Sequence, residues 1–301
     1  MVELKEINPK AIAIATTTFY PDWRPSQMDR SVVSVRGEIA IGFVHEVVSR
    51  GYQIIVIDGG SSDDFRPKIA EFGVSIQPEQ QRGMSASRRQ SYREASNLPG
   101  VQVICWTEPE KVSFVRDCLP QAAAPILNDS ADIVVPKREE AALATYPDYQ
   151  VDFEMRSNNL WNAILRARHL LPGDVEGIDI CFGPKLFRND PDIVELFMRR
   201  FKLLNVSRAL DKILDPELWH GAVTFPVITA LHEGKRVVNI EVPYRHPMEQ
   251  TEVEIDSDEL RRKRDIQYKN LIVLTIQYAK LLKDAPFKSR IVRITEEGIQ
   301  G

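Results

Sequence analysis

Residues 53–64 read QIIVIDGGSSDD. Ile54, Ile55, Val56 and Ile57 form an unbroken β-branched run that ends at Asp58 in a Gly/Ser turn. Such a run, with no polar alternation, predicts a strand buried on both faces, as in a parallel sheet. Upstream, Val32, Val35, Ile39, Phe43 and Val47 recur near helical spacing across 31–50, and Gly51 stands where a C-cap glycine would. Before that helix, residues 11–19 (AIAIATTTF) predict a second buried strand, closed by a loop holding Pro21 and Pro25. Downstream come a short helix at 65–72, a small strand in 73–77 (GVSIQ), a helical pattern at 85–96 (SASRRQSYREAS) and a third apolar strand at 101–106 (VQVICW). Strands alternating with helices predict an α/β fold with a mostly parallel sheet and crossover helices. Ligands of such sheets bind beyond the carboxyl ends of the strands. The segments that begin there are 16–23 (TTTFYPDW), 58–64 (DGGSSDD) and 107–111 (TEPEK).

Beyond residue 112 the pattern loosens. A helix and a strand at 131–138 (ADIVVPKR) precede a long amphipathic stretch at 152–171. Strand and turn follow at 177–187 (GIDICFGPKLF), then helical patterns at 190–214 and 224–234. A strand at 236–247 (RVVNIEVPYRHP) and a long helix at 257–284 complete the chain, with a tail after 286. We therefore expect a ligand-binding half at 1–115 and a second half at 116–285 sharing the same sheet, with a terminal segment at 286–301.

The composition is 43% hydrophobic with a net charge of −4 over 301 residues, enough for a full core and too acidic for a dedicated nucleic-acid binder. Cys105, Cys118 and Cys181 match no metal or redox spacing and read as buried thiols of a reducing compartment. No apolar run reaches membrane-spanning length and the first ten residues are charged, so a cytoplasmic protein is expected. The 257–284 helix offers an interface for a homo-oligomer.

Three constellations carry chemistry. Glu108 and Glu110 stand at i and i+2 directly after a buried strand, where two carboxylates can face one hard divalent cation. Arg82, Gly83, Ser85, Arg88 and Arg89 crowd a helix entry, where backbone N–H groups and guanidinium groups favour an anion. His246 closes a strand and is a candidate third metal ligand. Each has a plainer reading, as solvated acids, a basic surface helix and a structural histidine.

Together these segments resemble the GT-A glycosyltransferases: a mostly parallel, Rossmann-like sheet flanked by helices, with an acceptor-binding second half. In that resemblance 16–21 (TTTFYP) is the nucleotide loop, placing Thr16, Thr17, Thr18 and Phe19 at the donor. The run 54–64 (IIVIDGGSSDD) looks like the strand and Asp turn that hold base and ribose, through Asp58. The segment 83–88 (GMSASR) puts Gly83 and Arg88 at the donor, with Arg82 beside them. TEPEK falls where the family carries its DxD metal motif, implying Mn²⁺ or Mg²⁺ on Glu108 and Glu110, with Glu108 also near the donor. Two residues depart from the pattern: Glu-Pro-Glu replaces DxD, and Gly59 replaces the second Asp of the ribose turn. The segments 177–187 and 242–247 resemble the retaining branch that makes mannosylglycerate and glucosyl-3-phosphoglycerate, whose late metal histidine would be His246. Asp215 and Glu217 in 215–221 (DPELWHG) stand where inverting members keep a base. With Asp179 they are the candidate catalytic carboxylates, while Gly183 and Trp219 would frame the acceptor. The resemblance implies a nucleotide-sugar donor and a hydroxyl acceptor. A nucleotidyltransferase would need a glycine-rich loop that TTTFYPDW lacks. A non-catalytic sugar-nucleotide binder stays open because of the altered DxD motif. A serine hydrolase is disfavoured, since no GxSxG occurs.

Overall fold

Ile12, Ala13, Ile14 and Ala15 are all fully buried, and their side chains divide between two apolar clusters, one on each face of a sheet. That two-sided burial is why the strand reads as an uninterrupted apolar run. The computed structural model describes residues 7–25, 30–171, 175–201, 217, 221–281, 291–295 and 298–300; from 273 onward only the backbone is described. Strands β1 (Ile12–Thr18), β2 (Gln53–Asp58), β3 (Ile76–Pro78) and β4 (Val103–Trp106) pair in parallel in the order β3-β2-β1-β4. The sheet continues through β6 (Lys185–Arg188), which is antiparallel to both neighbours, then β5 (Ile133–Arg138) and β7 (Val237–Val242). Seven strands thus form the body of the sheet, with all but β6 running the same way. Ile291–Thr295, in the segment expected as a tail, lies parallel to β7 as β8, and Gly298–Gln300 follows antiparallel as β9.

Helices cover both faces. On one side α1 (Val32–Ser49) inserts Phe43, Val44 and Val47, α2 (Phe65–Ala70) inserts Phe65 and Ile69, and α4 (Leu119–Leu127) adds Leu119 and Ile126. Ser31 caps α1 by accepting from the Ser34 amide at 3.2 Å. On the other side lie α3 (Met84–Ser96), α6 (Asp148–Ala167), α7 (Pro191–Met198) and α8 (Thr224–His232). They pack Tyr92, Trp161, Leu196 and Ile228 on Ala13, Ile104 and Phe187. The short α5 (Glu140–Leu143) leads into α6, and α9 (Met248–Glu254) into the long α10 (Asp258–Leu281), which packs on α6. No helix among the described residues is long and apolar enough to cross a membrane.

After β1 the chain moves outward to β2 and β3, then returns to pair β4 on the other flank of β1. The sheet therefore has a switch point between β1 and β4, and a crevice outside their carboxyl ends. Because β5 and β7 run the same way, the residues that follow them, Glu139 and the loop at 243–247, emerge on that edge too.

Candidate active site

Glu108 and Glu110 leave the carboxyl end of β4 in a turn closed by the Lys111 amide donating to the Glu108 carbonyl at 3.2 Å. They line a cavity of about 260 Å³ together with Arg88 from α3, Gly183 from the loop before β6, and His246 from the loop after β7. Five of the residues singled out in the sequence thus meet at one place.

Their environments differ. The Glu108 carboxylate lies directly over Gly183, where any Cβ would overlap it, and its Oε2 is buried with no hydrogen-bond partner in the protein. Glu110 instead accepts from the Tyr20 hydroxyl at 2.9 Å. Burial pushes the Glu110 carboxyl up from the usual range, against the Arg36 guanidinium and the Tyr20 hydroxyl, which pull it down. His246 is 5% exposed and stacks on the Tyr146 ring at 4.2 Å; its Nε2 is buried without a partner. Burial, with Lys111, Arg36 and Arg138 nearby, pulls its pKa down to about 2, so the imidazole is neutral and keeps a lone pair. Arg88 lies over the Trp106 ring at 4.4 Å, and burial lowers its pKa.

A carboxylate oxygen and a neutral imidazole nitrogen, both buried and lacking protein partners, are a donor set that suits Mn²⁺, with the oxygen suiting Mg²⁺ as well. Among the described residues no three His, Cys, Asp or Glu side chains are grouped to hold a metal alone. Both residues line the one cavity, and their donor atoms suit a cation that takes most of its ligands from a phosphate-bearing substrate.

Other expected residues serve the frame. Thr16 is fully buried and donates to the Thr107 carbonyl at 2.8 Å, tying β1 to the start of the acidic turn. Thr18 donates to Asp58 at 2.9 Å, and the Asp58 carboxylate also accepts from the Ser61 amide, at 3.0 Å through Oδ2. Asp58 thereby shapes its own turn. Thr17 is half-buried on β1, Phe19 is 65% exposed beside Gly59, and Arg82 is exposed; none of the three lines the cavity. Gly83 starts α3 with φ at 126°, a conformation that favours glycine.

The expected bases that the structure describes are both engaged by arginines. Both Asp179 oxygens are engaged by the Arg138 guanidinium, at 2.7 and 3.0 Å, and Oδ1 also accepts from Asn158 at 2.7 Å. Burial raises the Asp179 pKa, but Arg138 outweighs it and the net shift is downward. Glu217 is clamped by both terminal nitrogens of Arg89 and accepts from the Phe201 amide at 3.0 Å. Asp179 so held is a poor proton acceptor, and both carboxylates tie distant chain segments together. Arg89, expected with the anion site, is spent on that clamp. Asp215 and Trp219 lie outside the described residues.

Sequence reading missed the opposite wall. Arg36 projects from α1, Gln150 and Glu154 from α6, Gln250 from α9, and Lys263 and Arg264 from α10. Lys111 was within reach, since it directly follows the acidic pair; it sits among the rings of Tyr146, Phe182 and Tyr244 at 5.2–5.6 Å. Beneath Gly183, the fully buried Lys185 ammonium donates to the carbonyls of Phe182, Gly183 and Pro184, and burial draws its pKa down to about 8.

No family model and no curated protein sequence matches this chain. Solved structures do match it. Glucosyl-3-phosphoglycerate synthase from Mycobacterium tuberculosis, in complex with Mn²⁺, UDP and phosphoglyceric acid, superposes with a TM-score of 0.53 at 12% identity, covering 90% of this chain and 78% of that one. The same enzyme with Mn²⁺, UDP-glucose and phosphoglyceric acid gives 0.53 at 11%, covering 90% and 80%. With UDP alone it gives 0.52 at 11%, with the same coverage. The chain has a GT-A fold. Glu108 leaves the turn after β4, where its carboxylate meets Gly183.

Replacing Gly183 with alanine should therefore displace the Glu108 carboxylate while leaving the sheet intact. The expected result is an unchanged far-UV spectrum with Mn²⁺ affinity lowered about 10-fold or more, on the scale of disturbing a ligand's support. Native Mn²⁺ affinity in Gly183→Ala would show that the contact does not orient the acid.

Proposed function

We propose that this protein transfers a hexosyl group from a nucleoside diphosphate sugar to a hydroxyl of a small acceptor, assisted by Mn²⁺ or Mg²⁺. The observation that carries the reading is the pairing of two partnerless buried donors, Glu108 Oε2 and His246 Nε2, at the switch-point edge of a GT-A sheet. The neighbouring synthase binds UDP, UDP-glucose and Mn²⁺ at its own site. A wider groove of about 1020 Å³ lies on the other side of His246, but neither Arg88 nor either glutamate lines it.

Glu108 and His246, with Glu110 adding charge behind them, would hold the cation. When bound, it neutralises charge that develops on the departing diphosphate. Arg88 supplies a second, permanent positive charge there. The exposed ring of Phe19 offers a stacking face for the nucleobase above the Asp58 turn, and Gly59 keeps that approach low. Lys111, Lys263 and Arg264 line the cavity with no ion pair among the described residues, which supports an acceptor carrying a carboxylate or phosphate. The described base candidates are held by arginines. That supports a retaining transfer in which the sugar C1–oxygen bond to diphosphate breaks, the acceptor oxygen bonds C1 on the same face, and the hydroxyl proton passes to a diphosphate oxygen.

Calorimetric titration with UDP and GDP, each with and without Mn²⁺, tests the donor site. Micromolar binding that requires the metal is expected for one of them. No binding of either would overturn the reading. Donor hydrolysis in the presence of Mn²⁺ separates an active transferase from a silent sugar-nucleotide binder.

A further inference from the structure

The wall of the cavity opposite Glu108 contains the same short pattern twice. Gln150 and Glu154 on α6, and Gln250 and Glu254 on α9, are each four residues apart and therefore on one helical face. In each pair the glutamine amide nitrogen donates to the glutamate, at 2.9 Å in the first and 2.8 Å in the second. Each glutamate is in turn held by a buried or half-buried arginine: Glu154 by Arg138 at 2.5 Å and Glu254 by Arg36 at 2.6 Å. All four helix residues are at least nine-tenths buried.

This arrangement fixes which way the amides point. An ionised carboxylate only accepts, so the NH₂ end of each glutamine must face it and the carbonyl oxygen must face away. Both glutamines line the cavity, and Gln250 Oε1 is buried with no partner in the protein. Gln150 Oε1 likewise accepts from no described residue. A buried amide oxygen without a donor is costly unless a ligand supplies one. The buried Gln250 oxygen, with the Gln150 amide on the same cavity wall and each oriented by its own Arg–Glu pair, calls for hydroxyl or amine donors and disfavours a second anion.

We propose that Gln150 and Gln250 read the acceptor's hydroxyl groups, making this cavity selective for a vicinal polyol over a mono-alcohol of equal charge. The inference rests on the transferase reading for its biological meaning, but the two are testable apart. The glutamates and arginines behind the amides are positioning residues that act through them.

The probes are glycerol 3-phosphate and 3-hydroxypropyl phosphate, which share one phosphate and differ by the central hydroxyl. Ligand-observed NMR titration measures both on the full chain with UDP and Mn²⁺ present, with no need for turnover. Glycerol 3-phosphate should bind about 10-fold or more tightly than its deoxy counterpart, on the scale of one buried hydrogen bond that would otherwise go unmade. In Gln250→Leu the ratio should fall toward one, through weaker binding of the diol rather than tighter binding of the mono-alcohol. Gln150→Leu supplies the same test should the first variant not fold. Equal binding of the two probes to the native chain, binding of neither, or an undiminished ratio in a folded variant would overturn the assignment. A parallel UDP titration reports the donor site separately, so failure there counts against the transferase reading and leaves the hydroxyl test standing.

Discussion

Glu108→Gln should lower the rate of sugar transfer by about 10²–10³-fold, the scale of losing one preorganised electrostatic contact to the departing group. The substitution preserves shape. The amide fits over Gly183 as the carboxylate does, so the loss reports charge and not packing. Mn²⁺ affinity should fall in parallel, measured by counting free Mn²⁺ by electron paramagnetic resonance with UDP present. Glu110→Gln should cost less, because one Glu110 oxygen already accepts from Tyr20 and Arg36 faces the group. Glu108→Gln with native Mn²⁺ dependence, or Glu110→Gln with the larger loss, would remove Glu108 as the principal ligand.

The ordering also marks where sequence ran out. The parallel sheet was legible because β1, β2 and β4 are buried on both faces and so appear as unbroken apolar runs, each followed by a polar turn. The acidic pair was legible because it directly follows such a strand, and His246 because it closes the segment after β7. The expected strand at 177–187 was only partly so: regular pairing begins at Lys185. Before it, the Asn162 side chain bonds both the amide and the carbonyl of Ile178, and Asn158 takes the Cys181 amide, so side chains replace a strand ladder. The surroundings of the candidate carboxylates were hidden for a related reason. Whether Asp179 or Glu217 is a free base depends on Arg138 and Arg89, which stand 41 and 128 residues away in the chain. No local spacing encodes that pairing. The glutamine pairs were visible as i, i+4 patterns, but nothing in sequence placed the two helices against one cavity.

Arg138→Met should destabilise the fold by about 3–5 kcal/mol, the cost of removing one member of a buried ionic group. Arg138 is 4% exposed at the end of β5 and bridges Glu154 on α6 to Asp179 in the loop before β6. Methionine fills much of the volume but leaves both carboxylates without their cation. For a chain of this size the loss corresponds to a fall in Tm of about 5–8 °C. The pH dependence supplies the sign. In the native protein the Asp179 pKa is depressed, so its stabilisation is present above the unfolded value near pH ~4 and is lost as pH falls through the folded value. In the variant burial dominates at Asp179, and its orphaned carboxyl titrates above its unfolded value. Its folded state is then favoured only while it is protonated, so the deficit is largest at neutral pH and shrinks on acidification toward pH ~5. Arg138→Lys keeps a charge without the fork and should fall between the two. Thermal melts from pH ~5 to ~8 decide the matter. A deficit below about 1 kcal/mol, or one independent of pH, would mean that hydrogen bonds from Asn158 and Gln150 suffice to hold these carboxylates, and that the arginine is not what anchors the cavity wall.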